Sequence, residues 1–174
     1  MRACVVYESL WGNTAAIAAA IAEGFGGGSE ALSTDEATSE RIREADVLVV
    51  GAPVMAFRLP TDGMRARAAA DPAAPRPGDT SHPPVRSWLE AMPGGWTLIA
   101  AFETRLRWSP GGSTGAIERA LTAKGYRRFA HPAKFVVKGS YGPLRDGELN
   151  RARDWGRLLA ELAAQVQPVT EAAA

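Results

Sequence analysis

Cysteine is almost missing from this sequence. Cys4 is the only one in 174 residues, which excludes an internal disulfide framework and any cysteine-built metal cluster. It lies in an apolar run and reads as a small core residue rather than a nucleophile. Histidine is nearly as scarce. His82 and His131 stand far apart, each followed by a proline, with no second ligand at metal spacing, so both read as loop residues and no metal site is expected. No stretch approaches the roughly 18 consecutive apolar residues of a membrane span. The opening Met1-Arg2-Ala3-Cys4-Val5-Val6-Tyr7 has one charge and no cleavage-type segment, so it reads as a strand, and a cytoplasmic protein is expected. An excess of one charge is also lacking. Twenty Lys and Arg face nineteen Asp and Glu, a net charge of +1 that does not draw the chain to nucleic acid. Arg65, Arg67, Arg76 and Arg86 are scattered among prolines and alanines rather than gathered into a patch. Gly-x-Ser-x-Gly is absent, and no catalytic side chain is assigned.

What is present suits one domain spanning residues 1–174. Residues 3–7 predict a buried strand. Asn13 to Phe25 predicts a helix with Ile17, Ala18, Ile21, Ala22 and Phe25 on one stripe, ended by Gly26-Gly27-Gly28. A weak strand at Glu30–Ser33 and a short helix at Ser39–Glu44 follow. Asp46–Gly51 is the clearest strand, nearly continuous in apolar β-formers. Residues 52–84 carry seven prolines and no sustained period, with room for one helical segment at 62–70 and mobility expected from Ala69 to Ser81. The remainder predicts a helix at Val85–Met92, a strand at Trp96–Phe102, a loop at Glu103–Gly112 and a helix at Ser113–Lys124. Then come a possible extended piece at Tyr126–Phe129, a strand at Lys134–Val137 and a closing helix at Gly147–Val166. Leu149, Ala152, Trp155, Leu158, Leu159 and Leu162 are expected on that helix's apolar side, with a frayed tail after Pro168.

Alternating strands and helices imply parallel strands joined by right-handed crossovers. The expectation is an α/β fold: a three-layer, doubly wound, five-stranded parallel sheet with helices on both faces. Ligands of such sheets bind outside the carboxyl ends of the strands, which selects loops 8–13, 52–60 and 102–112.

The first of these loops is Glu8-Ser9-Leu10-Trp11-Gly12-Asn13-Thr14, directly after a strand and opening a helix. Ser9, Asn13 and Thr14 carry side-chain donors, Gly12 admits close backbone approach, and a helix start offers free N–H groups to a phosphate. The plainer alternative is that Asn13 or Thr14 caps the helix and Gly12 makes a turn.

Strand, then Ser-x-x-Gly-Asn-Thr, then helix within the first fifteen residues resembles the flavodoxin family. Val49-Val50-Gly51-Ala52-Pro53 and Ala100-Ala101-Phe102 are weaker points of likeness. The resemblance implies the sheet order 2-1-3-4-5 and binding of flavin mononucleotide (FMN). By position, Ser9, Leu10, Trp11, Gly12, Asn13 and Thr14 would surround the phosphate. Pro53, Val54, Met55 and Phe57 after the third strand, and Phe102, Glu103, Thr104, Arg105 and Trp108 after the fourth, would flank the ring.

Three departures stand out. Trp11 replaces a usual threonine, Met55-Ala56-Phe57 replaces a tryptophan-bearing loop, and an arginine-rich segment with Trp108 replaces an acidic one with tyrosine. Arg58, Arg105 and Arg107 would make an added electron easier to accept, predicting a less negative potential than is usual for the family. The resemblance implies an electron carrier or small flavin reductase, working with a redox partner protein or a small-molecule acceptor. The rival reading is a chain of this fold that has lost FMN and binds another ligand or a protein.

Overall fold

The computed structural model describes residues 1–95 and 97–166. Trp96, the expected first residue of the fourth strand, and the tail after Pro168 lie outside the described residues. The strands are β1 (Ala3–Tyr7), β2 (Glu30–Ser33), β3 (Val47–Pro53), β4 (Leu98–Leu106), β5 (Arg127–Arg128) and β6 (Ala133–Val137). The helices are α1 (Asn13–Phe25), α2 (Ser39–Arg43), α3 (Asp62–Ala69), α4 (Val85–Ala91), α5 (Thr114–Thr122) and α6 (Glu148–Val166).

The sheet is parallel throughout, in the order β2-β1-β3-β4-β5, with β6 also paired to β4. The expected fifth strand, Lys134–Val137, lies within β6, and the extended piece expected at Tyr126–Phe129 contributes a sixth, β5. Arg127 and Arg128 pair with Leu98 and Ile99, and Ala133 resumes the ladder at Phe102. Four residues of the edge, 129–132, thus face two of β4, and the edge bulges there.

Alternation along the strands divides the core between the two faces of the sheet. Cys4, Val6, Leu48, Val50, Ile99 and Ala101 pack with Val85, Trp88, Leu89, Ile117 and Leu121 of α4 and α5. Val5, Val47, Val49, Ala100 and Phe102 pack with Ile17, Ile21 and Phe25 of α1 and with Ala152, Leu159 and Ala163 of α6. Burial pushes the Cys4 thiol up to about 12.

Helices α1 and α6 approach closely at two glycines. A Cβ on Gly24 would lie 2.0 Å from the Arg153 carbonyl oxygen, and one on Gly156 would lie 2.3 Å from the Ile21 carbonyl oxygen. Of the expected apolar side of α6, Ala152 and Leu159 are buried and Trp155 packs partly buried against the core. Leu149 and Leu158 are exposed, and the buried line is Ala152, Gly156, Leu159 and Ala163. Among the described residues no helix is long and apolar enough to cross a membrane.

Candidate functional site

The three loops at the carboxyl ends of β1, β3 and β4 meet, as the topology requires. Between them lies a cavity of about 390 Å³. Of the expected residues, Ser9, Leu10, Trp11, Asn13, Thr14, Pro53, Val54, Met55, Phe57, Thr104, Arg105 and Trp108 line it.

The β1–α1 loop forms one end. Gly12 takes φ +88°, a left-handed conformation that favours glycine, and its N–H donates to Ser9 Oγ at 3.0 Å. No side chain caps α1. The first amide bonded back to the loop is Ala16 N–H, on the Gly12 carbonyl at 2.9 Å, so the N–H groups of the first turn remain for a ligand. The side-chain donors are used differently from expectation. Asn13 Nδ2 donates to the Tyr141 carbonyl at 3.1 Å, and Thr14 Oγ1 shares a 2.8 Å hydrogen bond with Thr104 Oγ1. These bonds tie the loop to β4 and to the segment before α6, so the free donors here are chiefly main-chain ones.

The other end is bounded by the loops after β3 and β4. Met55 and Arg58 exchange two backbone hydrogen bonds around Ala56 (φ 43°) and Phe57 (φ 68°). Two non-glycine residues at positive φ make this a costly turn, a feature that clusters at ligand sites. The turn leaves Phe57 50% exposed, and Trp108 across the cavity mouth is 71% exposed. Both are large apolar groups exposed beside the cavity.

Three expected site residues are placed elsewhere. Phe102 is fully buried, packed edge-on against Phe135 at 6.2 Å between ring centroids. Glu103 is fully buried beneath the N-terminus of α5, where Oε2 accepts the N–H groups of Ser113 at 2.7 Å and Thr114 at 3.1 Å. Arg105 pairs with its Oε1 at 2.8 Å. Glu103, Thr104 and Arg105 thus belong to β4, not to a loop, because pairing with β3 and β6 carries the strand to Leu106. Gly12 lines a separate hollow of about 260 Å³ on the far side of the first loop.

Several residues at the site lay beyond sequence reasoning. Tyr141 lines the cavity, meets Trp11 edge-on at 4.9 Å between centroids, and donates its hydroxyl to Asp71. The turn-rich Lys138–Leu144 segment was its only signal. His82, read as a plain loop residue, is buried, and its Nε2 accepts the Ser9 N–H at 3.2 Å. Burial first, and then the Arg65 charge, hold it below the usual histidine value. Arg65, read as one of the scattered loop arginines, is also buried. Its Nη2 donates to the His82 carbonyl at 2.7 Å, and its Nε lies 3.1 Å from Glu8 Oε1, off the line of a good hydrogen bond. Glu8 Oε2 accepts the Val85 N–H at 2.8 Å, and burial raises that carboxyl. The strap of residues 71–82 completes this link. Asp79 N–H donates to the Leu10 carbonyl at 2.8 Å, and Gly78 lies against Leu10 and Trp11. Among the described residues no cluster of three or more His, Cys, Asp or Glu is placed to hold a metal ion.

No protein-family model matches the chain, and no curated protein matches it by sequence. Solved structures do match. A flavodoxin from the domain Archaea is 20% identical, with TM-score 0.63 over 94% of this chain and 99% of its own. A flavodoxin from Streptococcus pneumonia is 15% identical, with TM-score 0.63 over 95% and 100%. The flavodiiron core of a Synechocystis protein is 18% identical, with TM-score 0.61 over 96% of this chain but 37% of its own. At these identities the likeness is one of architecture, and the parallel sheet, its 2-1-3-4-5 order and its two helical layers give this chain the flavodoxin-like α/β fold.

Proposed function

We propose that this domain binds FMN in the cavity at the carboxyl edge of its sheet and serves electron transfer. One observation carries this reading. A single cavity runs from an uncapped helix N-terminus beside Ser9 and Asn13 to Met55, Phe57 and Trp108. That pairs an anion-binding end with an end lined by aromatic and thioether side chains, as an FMN molecule requires.

The donor set fits the group. Main-chain N–H groups of Asn13 and Thr14 would take the phosphate, and Trp11 Nε1, shielded from solvent without an acceptor, offers another donor on a cavity-lining residue. Phe57 and Trp108 would cover the ring and exclude water. The flavin supplies the electron chemistry, and the chain sets its position and the charge around it.

The charged residues lining the cavity are Asp71 and Arg105, and further arginines stand on the loops beside it. Arg105 is neutralised by Glu103, but Arg58 and Arg107 are exposed and have no ion pair among the described residues. Two cations there favour the reduced, more negative ring. The final reduction step should therefore lie at a less negative potential than is usual for flavodoxins, and a strongly negative final step in a redox titration would overturn this. The partner suited to such a mouth is an acidic protein or an anionic small molecule.

The direct experiment is the absorption spectrum of the purified protein, followed by FMN titration with flavin fluorescence as the readout. A yellow protein, or quenching that Trp108→Ala weakens, supports the reading. A colourless protein that leaves FMN fluorescence unchanged at high concentration refutes it and favours a domain that binds another phosphorylated ligand or a protein.

A further inference from the structure

On the FMN reading, the first loop holds a phosphate with hydrogen-bond donors alone. Among residues 8–14 the only charged side chain is Glu8, and it is buried against Val85 and Arg65. Donors without a cation depend on aim, because a hydrogen bond weakens steeply as it bends. Whatever fixes the shape of the loop therefore sets its affinity. Ser9 is buried and lines the cavity, and its Oγ accepts the Gly12 N–H at 3.0 Å across the turn. Its hydroxyl proton is given to no group among the described residues, which leaves it to donate to a ligand.

The main chain of Ser9 is held from the other side of the loop. Its N–H donates to His82 Nε2 at 3.2 Å. His82 is itself buried and lines the separate hollow rather than the cavity. It is braced in turn by Arg65, whose Nη2 donates to the His82 carbonyl at 2.7 Å and whose Nε lies 3.1 Å from Glu8 Oε1, one residue before Ser9. These contacts close a ring that runs from Glu8 through Ser9, His82 and Arg65 back to Glu8, with all four residues buried. Apolar side chains would fill such a volume at less cost. What the polar ring adds is a fixed Ser9, and Ser9 is the one member that lines the cavity.

We propose that His82 is the positioning residue of the phosphate end, holding Ser9 so that its hydroxyl meets the phosphate of the flavin. The inference rests on the FMN reading and adds to it a residue that touches no ligand atom and acts through Ser9. The property it needs is an acceptor at the place of Nε2. Without one, the buried Ser9 N–H is left unpaired, and the loop must shift to satisfy it.

The test compares FMN with riboflavin, which has the same ring and ribityl chain but no phosphate. Dissociation constants from fluorescence quenching are measured at about pH 8, where His82 is neutral, for the wild type, His82→Gln, His82→Asn and His82→Phe, with circular dichroism to confirm folding. Glutamine carries an amide oxygen to the place of Nε2, asparagine stops short of it, and phenylalanine fills the space with no acceptor. His82→Gln should keep FMN affinity within about threefold, whereas His82→Asn and His82→Phe should each weaken FMN about tenfold and leave riboflavin unchanged. If only one of those two folds, that one carries the comparison. His82→Gln no better than His82→Asn, equal loss for both flavins, or loss of folding in both acceptor-free variants would overturn the role of His82 while leaving the FMN reading intact. A wild type that quenches neither flavin removes the FMN reading, and the His82 inference falls with it.

Discussion

His82 does its work through one nitrogen. Its Nε2 accepts the Ser9 N–H, so the ring must be neutral with its proton on Nδ1, which faces Asp79 Oδ1 at 3.9 Å. Protonation would set two donors against each other at the root of the first loop. The folded state therefore resists a proton that the unfolded chain accepts below about pH 6.5. The depressed value gives a definite sign. The stabilisation is complete above the unfolded pKa and is lost as pH falls through the folded one. His82→Gln, which keeps an acceptor but cannot titrate there, isolates the effect. Glu8, with its raised carboxyl, opposes it in acid, but that contribution is common to both proteins. Between pH 7.5 and 5.5 the wild type should lose stability relative to His82→Gln, by up to about 1.4 kcal/mol per pH unit. Urea denaturation at the two pH values measures this, and a gap that does not change with pH would count against it.

Whole elements were legible where local signals agree. Gly12 and Gly26 bracket α1, whose five-residue apolar stripe is entirely buried, and the observed helix is the expected Asn13–Phe25. The failures came where distant partners decide. Polar Glu103-Thr104-Arg105 reads as loop because its neighbours in β3 and β6, and the α5 N-terminus that satisfies Glu103, are not local. On α6 the buried line keeps Ala152 and Leu159 of the expected face but leaves Leu149 and Leu158 exposed. Gly156 lets two backbones touch, and contact at that range outweighs burying Leu149 and Leu158. Gly156→Ala should accordingly cost about 1–3 kcal/mol, since its methyl meets main-chain atoms that cannot rotate away. Gly63→Ala in α3, with nothing within 4 Å of the added carbon, should instead stabilise by about 0.5–1 kcal/mol. Urea midpoints of the two variants should move in opposite directions, and parallel shifts would refute the packing argument. The candidate site was legible to the same degree. Loops at strand ends were found from the topology, but the strap was not, because His82 and Ser9 are 73 residues apart and no periodicity links them.

At the scale of the whole molecule, near-neutral overall charge conceals an uneven surface. Arg58 and Arg107 are exposed on the loops that bound the cavity and have no ion pair among the described residues, while the paired Arg41, Arg128 and Arg153 lie on other elements. Association governed by those two charges should weaken with ionic strength even though the net charge is only +1.

Cys4 sits in β1 between β2 and β3, 1% exposed, with its thiol pushed up to about 12. A sulfhydryl so placed meets an alkylating reagent only when the sheet itself comes apart, so its modification rate is a clock for global opening. With one thiol in the chain the clock has a single hand. Iodoacetamide should label the native protein far more slowly than the urea-unfolded chain, and on the proposed FMN reading saturating FMN should slow labelling further by the factor its binding adds to stability.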